Sequence, residues 1–218
     1  LFPLIFLIRQ PPRPSEGPNA GPSQIKETII AHTKLTTVLS SAIIFCCICM
    51  SIPLVHAVSR AMDVGMVDQS AAFVLSLMMI GGLIGRVGSG KVADLMGGMR
   101  TLLLASGIQT VTIFWFSRVI DLYGFYPLAL LFGVGYGGVM PSYAVIIREL
   151  VPAKVSGRSL GFVYCFGNIG MGLGGFFGGL LFDFSGDYAL TFSLGAISGF
   201  INLIFIGSLF YYLHTREP

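Results

Sequence analysis

Six long apolar stretches, separated by short polar links, dominate the chain. Each is about 20 residues or longer, the length that an α-helix needs to cross a lipid bilayer. The predicted spans are residues 35–58, 69–91, 101–120, 125–147, 158–182 and 188–212. Because the links are short, consecutive helices are predicted to run antiparallel to each other.

The composition points to the same class of protein. Of the 218 residues, 54% are hydrophobic and 11% are charged, and the mean hydropathy is +0.83. A soluble domain has about 25% charged residues. The sequence therefore predicts an all-α, multi-pass membrane protein that is embedded in the lipid bilayer through six transmembrane helices.

The chain before the first span divides into two parts. Residues 1–8 are apolar but too short to span, and they are predicted to be the tail of a preceding transmembrane helix. Residues 9–34 are predicted to be a cytoplasmic linker, rich in proline and glycine up to residue 24, with a short interfacial helix at 25–34. Residues 35–218 then form the six-helix membrane domain.

Basic residues predict the orientation. The side of a membrane protein that is richer in Lys and Arg faces the cytoplasm. One side of the predicted topology collects Arg9, Arg13, Lys26, Lys34, Lys91, Arg100, Arg148, Lys154, Arg158 and Arg216. The other side keeps Arg60 and Arg118, beside Asp63, Asp68, Asp121, Asp183 and Asp187. Both ends of the chain are therefore predicted to be cytoplasmic, and because the basic residues flank spans, no nucleic-acid partner is expected.

The residue types that usually act in catalysis or bind metals form no catalytic or metal-binding pattern in the sequence. Cys46, Cys47, Cys49 and Cys165 lie in apolar spans without the spacing of a metal site, so they are predicted to be small packing residues. A nucleophile elbow, paired intramembrane acids and a phosphate-loop spacing are all absent from the sequence. We expect no enzyme and no cofactor.

Glycine is concentrated in the second, fourth and fifth spans. Pairs four residues apart, such as Gly170 and Gly174, allow helix backbones to approach closely in lipid. Two interpretations remain open. The glycines either make tight static contacts or form smooth surfaces that slide during a transport cycle.

The stretch from Gly81 to Arg100 ends one span, turns and begins the next. Asp94 and Gly97 lie where the chain is predicted to turn, and Arg86 lies eight residues before Asp94, ~12 Å along a helix. Placing an arginine at that depth costs ~3 kcal/mol on insertion scales, so intramembrane arginines usually have a function. Arg86 is therefore the leading functional candidate.

The same stretch carries a family motif. Gly90, Asp94, Gly97 and Arg100 resemble the loop motif of the major facilitator superfamily, in which a glycine is followed by an acid, a basic residue, a second glycine and a basic pair. This chain departs from that motif at Leu95, Gly98 and Met99. The four matching residues follow the order of the motif, and Arg100 is the one base that remains of the basic pair.

Three further segments are similar to the monocarboxylate transporter and oxalate:formate antiporter branch of that superfamily. They are residues 56–65 followed by Ala71 and Ala72, then Gly85 with Arg86, and residues 182–188. The resemblance covers residues 35–212 and implies helices seven to twelve of a twelve-helix transporter. The implied fold is one half of a major facilitator protein, a 3+3 inverted repeat that rocks against a missing N-terminal half.

Two departures from the branch concern charge. Carriers of dicarboxylates place a lysine in helix eleven, and the matching position is near Gly167. Animal monocarboxylate carriers place an acid one turn before the arginine, and the matching position is Gly82. Arg86 is left as the only strongly basic group deep in the spans.

The resemblance and the polar residues of the spans give a set of candidate site residues. The candidates for substrate binding are Arg86, His56, Tyr143, Tyr164 and Asn168. The candidates for a cytoplasmic gate are Asp94, Gly90, Gly97, Arg100, Glu149 and Arg158. Arg86 could instead pair with Asp94 and Glu149 in that gate, and His56 could be an ordinary hydrogen-bonded residue rather than a proton carrier.

The expected function is secondary active transport of a small solute, specifically a monocarboxylate or related organic anion, by alternating access. A co-transported proton and the N-terminal half are expected partners, and the plasma or cell inner membrane is the expected location. The alternatives are a carrier of a non-carboxylate solute and a non-transporting receptor or scaffold on the same fold.

Overall fold

A computed structural model describes residues 22–119 and 121–215, with side chains from residue 33 onward except at residue 122. The six helices are α1 (Pro22–Asp63), α2 (Asp68–Met96), α3 (Gly98–Phe116), α4 (Leu122–Leu150), α5 (Ala153–Ser185) and α6 (Tyr188–His214). Each contains a stretch that is long and apolar enough to cross a membrane. The prediction of an all-α, six-span membrane domain is confirmed.

The helix boundaries differ from the predicted spans at several ends. Helix α1 begins at Pro22, so residues 25–34 belong to it rather than to a separate short helix, because no glycine or proline interrupts residues 23–52. Helix α2 continues through its charged end to Met96, so Asp94 lies within this helix and the predicted turn is confined to Gly97. Helix α3 stops at Phe116 rather than at residue 120. The predicted tail at 1–8 and the linker up to residue 21 lie outside the described residues.

Two helix pairs are packed closely through glycine. At the α2–α4 contact, a Cβ added at Gly81 or Gly85 would overlap the carbonyl oxygen of Leu130 or Val134. At the α1–α5 contact, a Cβ added at Gly170 would lie 2.5 Å from the carbonyl oxygen of Ile44. The close backbone approach predicted from the glycine spacing is confirmed.

Aromatic side chains fill the interior at one end of the domain. The ring of Phe116 on α3 lies 5.9 Å from those of Phe125 and Phe192 and 6.2 Å from that of Phe132, measured between centroids. All four side chains are fully buried. This cluster joins α3 to α4 by edge-to-face contacts and α3 to α6 by a stacked contact.

Polar contacts tie the loops together at each end of the domain. At one end, Arg60 forms an ion pair with Asp187 at 3.6 Å and reaches the carbonyl oxygen of Ser117 at 3.5 Å. At the other end, the backbone N–H of Gly98 donates to the carboxylate of Glu149. The segments 92–100 and 148–157 therefore share one end, as the antiparallel topology predicts.

Candidate functional site

Arg86 lies on α2, ten residues before the helix ends at Met96, which is ~15 Å along the helix. Its side chain is exposed in the six-helix domain. Its guanidinium carbon lies 5.5 Å from the centroid of the Tyr136 ring on α4, which is a cation–π contact. Among the described residues, no carboxylate forms an ion pair with Arg86, so the alternative pairing with Asp94 or Glu149 is not seen.

Two further candidates lie on α5, one turn apart. The Tyr164 hydroxyl donates to the backbone carbonyl of Met140 on α4 at 2.9 Å. The side-chain amide of Asn168 donates to the Tyr164 carbonyl at 3.0 Å, and its side chain is exposed. Asn168 therefore lies at the surface of this domain, whereas Tyr164 is half-buried and links α5 to α4.

The two remaining substrate candidates lie inside the helix packing. The Nε2 atom of His56 is 3.1 Å from the Gly175 carbonyl oxygen, and its ring lies against Tyr188 at 5.6 Å. A carbonyl oxygen only accepts hydrogen bonds, so Nε2 carries the proton. The Tyr143 hydroxyl is fully buried and donates to Oδ1 of Asn202 at 3.4 Å. Both side chains are therefore buried, unlike those of Arg86 and Asn168.

The gate candidates divide into two groups. Gly97, Arg100 and Glu149 line a common cavity of about 430 Å³ between the α2–α3 turn and the ends of α4 and α6. Gly97 has φ +84°, a backbone conformation that favours glycine, which explains why the predicted turn occurs there. The guanidinium of Arg100 lies over the ring of Phe210 at 5.9 Å.

The other gate candidates are not brought into this cluster. Gly90, Asp94 and Arg158 are exposed, and a Cβ added at Gly90 would meet no atom within 4 Å. Within the described ranges, Asp94 and Arg158 contact no group of opposite charge. The structure thus assembles half of the predicted gate residues within this domain.

The structure also shows pairings that the sequence did not predict. Arg86 lies over the ring of Tyr136, and Arg60 forms an ion pair with Asp187. The sequence analysis predicted neither of these two contacts. Cys46, Cys47 and Cys49 are buried as predicted for packing residues, but Cys165 is exposed. Single-sequence periodicity does not show which helices become neighbours, so it carried no signal for these pairs.

Comparison with known proteins gives the family. The Major Facilitator Superfamily model matches residues 1–152 and 110–218. The chain is 33% identical to monocarboxylate transporter 13 of Rattus norvegicus over 65% of this chain and 33% of that protein. It is 30% identical to the 4-hydroxybenzoate transporter PcaK of Pseudomonas aeruginosa over 59% of this chain and 29% of that protein.

A third relative is the gallate transporter of Pseudomonas putida, which is 31% identical over 55% of this chain and 27% of that protein. The matched part of the chain spans between 27% and 33% of the length of these curated relatives. The six apolar helices agree with this family, whose two matches together cover the chain. This chain belongs to the major facilitator superfamily.

Proposed function

We propose that this chain forms one half of a secondary transporter for a small organic anion, and that Arg86 binds the carboxylate of that anion. The observation that carries this proposal is an exposed, permanently charged side chain deep in a transmembrane helix. Such a charge requires an anion or water as its partner. Arg86 contacts an aromatic ring and no acid in the part of the chain that is described.

The names of the relatives agree with this chemistry. Monocarboxylate, 4-hydroxybenzoate and gallate are all carboxylates. A planar guanidinium can donate two parallel hydrogen bonds to a carboxylate, which gives both affinity and orientation. A carboxylate is therefore the functional group that we expect Arg86 to select.

The mechanism we propose is alternating access between this domain and a second, N-terminal six-helix half. Asn168, exposed on α5, is a second candidate contact for the solute. We propose a packing role for His56 and Tyr143, which is supported by their burial. The cluster of Gly97, Arg100 and Glu149 is the proposed cytoplasmic gate. A proton is the candidate coupling ion, and the plasma or cell inner membrane is the candidate location.

The test is uptake by the complete natural protein in proteoliposomes. Radiolabelled lactate, 4-hydroxybenzoate and gallate are offered, with uncharged 4-hydroxybenzamide as a control solute. We expect uptake of at least one anion and none of the amide, and we expect Arg86→Gln to abolish anion uptake while the protein still inserts.

A matched control variant is available on the same chain. Arg118 also lies over an aromatic ring, Phe114, at 4.7 Å, but it follows the end of α3 and is not inside a helix. Arg118→Gln should therefore retain uptake. Unchanged affinity in Arg86→Gln would refute the binding role, and failure of the wild type to move any of the three anions would favour the scaffold or a non-carboxylate carrier.

A further inference from the structure

The surroundings of Tyr136 connect it directly to Arg86. Tyr136 lies on α4 with 6% of its surface exposed, and the Phe132 ring stacks against it at 5.8 Å between centroids. Its hydroxyl donates weakly to the sulfur of Met79 on α2 at 3.6 Å. The ring is thus held between its own helix and α2, with the guanidinium of Arg86 over it.

Gly82 provides the space for that ring. A Cβ added at Gly82 would lie 2.5 Å from the Tyr136 hydroxyl oxygen and 2.7 Å and 2.9 Å from two ring carbons. Carbon atoms do not approach so closely, so any side chain at this position would displace the ring. Gly82 is one turn before Arg86 on α2, and its lack of a side chain brings Tyr136 beneath the arginine.

We infer that Tyr136 is the positioning residue for Arg86, and that Gly82 is required for this role. The inference rests on the proposed function of Arg86. Contact with the face of a ring uses none of the five guanidinium N–H donors, whereas a carboxylate partner in the protein would occupy two of them. The ring therefore restrains the arginine while leaving its donors available for the carboxylate of the solute.

The first test compares two substitutions at residue 136 in the complete protein, with the anion that gives the highest uptake among lactate, 4-hydroxybenzoate and gallate. Tyr136→Phe keeps the ring and loses the hydroxyl, and Tyr136→Leu removes the ring. We expect KM to rise about three- to tenfold in Tyr136→Leu, with Vmax within about twofold, and KM in Tyr136→Phe to stay within about twofold of wild type.

Failure of this inference is distinguishable from failure of the proposed function. If Arg86→Gln abolishes uptake but Tyr136→Leu behaves like the wild type, Arg86 binds the anion without help from the ring. Equal increases in KM for Tyr136→Phe and Tyr136→Leu would also overturn the inference, because they would assign the effect to the hydroxyl.

The second test needs no transported solute. The melting temperature of the purified protein is measured for Gly82→Ala and for Gly88→Ala, its matched control on α2, where an added Cβ meets no atom within 4 Å. We expect a fall of several degrees for Gly82→Ala and none for Gly88→Ala, and a smaller fall for Gly82→Ala in a Tyr136→Leu background. Equal melting temperatures for the two alanine variants would show that Gly82 does not make room for Tyr136.

Discussion

Both carboxylate oxygens of Glu149 accept the backbone N–H of Gly98, at 3.2 and 3.3 Å. Gly98 is the first residue of α3, and the preceding Gly97 has no side chain with which to cap that helix. Glu149, at the end of α4, supplies the acceptor instead and places a negative charge at the positive end of the α3 dipole. The contact fixes the α2–α3 turn to α4.

Removal of the Glu149 carboxylate should loosen this turn. We expect Glu149→Ala to lower the free energy of unfolding by about 1 kcal/mol, because an N-cap acceptor is lost at an exposed site. Glu149→Gln, which retains one acceptor oxygen, should have a smaller effect. Thermal unfolding measures both, with Arg148→Ala as the control, and a larger loss in the control than in Glu149→Ala would contradict the capping role.

Substitution of Arg86 by lysine separates charge from geometry. Arg86→Lys keeps a positive charge but loses the planar fork that binds a carboxylate in two places. We expect the affinity for the transported anion to fall by about tenfold, measured as KM for uptake. If KM is unchanged and Vmax falls, Arg86 acts in a gate, and recovery of turnover in Arg86→Glu with Glu149→Arg would support that role.

The glycine contacts of α5 can be tested by comparing alanine substitutions at Gly174 and at the nearby Gly172. A Cβ added at Gly174 would overlap the hydroxyl oxygen of Ser51 and lie 2.8 Å from the Ile48 carbonyl oxygen, whereas one at Gly172 meets nothing within 4 Å. Gly174→Ala should destabilise the protein by about 1–3 kcal/mol, as overpacking does. Gly172→Ala should be neutral or slightly stabilising. Similar melting temperatures for the two variants would argue against close α1–α5 packing.

His56 is expected to be a packing residue rather than a proton carrier. Its Nε2 faces the Gly175 carbonyl, and a Cβ added at Gly178 would lie 2.6 Å from the same nitrogen. We expect the pH dependence of uptake to be unchanged in His56→Gln, with a lower melting temperature. A flattened pH profile in this variant would restore His56 as a coupling residue.

The orientation in the membrane can be tested by cysteine labelling in intact cells. The exposed Cys165 is first replaced by serine, and single cysteines are then introduced at Lys154 and Asp183. A membrane-impermeant reagent added outside should label the cysteine at position 183 and not that at position 154. The reverse pattern would invert the topology predicted by the positive-inside rule.

The sequence by itself determined the class, the number of helices and the close glycine contacts. These features follow from local properties: about 20 apolar residues make a span, and glycines four apart leave a smooth helix face. The turn at Gly97 was also predictable, because Gly90, Asp94 and Gly97 form a motif within one short segment. Arg86 stood out for the same reason, as a charge within an apolar run.

Only the tertiary structure decided which side chains become neighbours. His56 and Arg86 are both polar groups within predicted spans, yet one is buried against α5 and the other is exposed over Tyr136. The difference depends on helix rotation and on which helices touch, and both result from packing between segments far apart in the chain. The hydrophobic pattern of a sequence shows where each helix lies and which of its faces is apolar. It does not show how each helix is rotated against its neighbours or which helices those neighbours are.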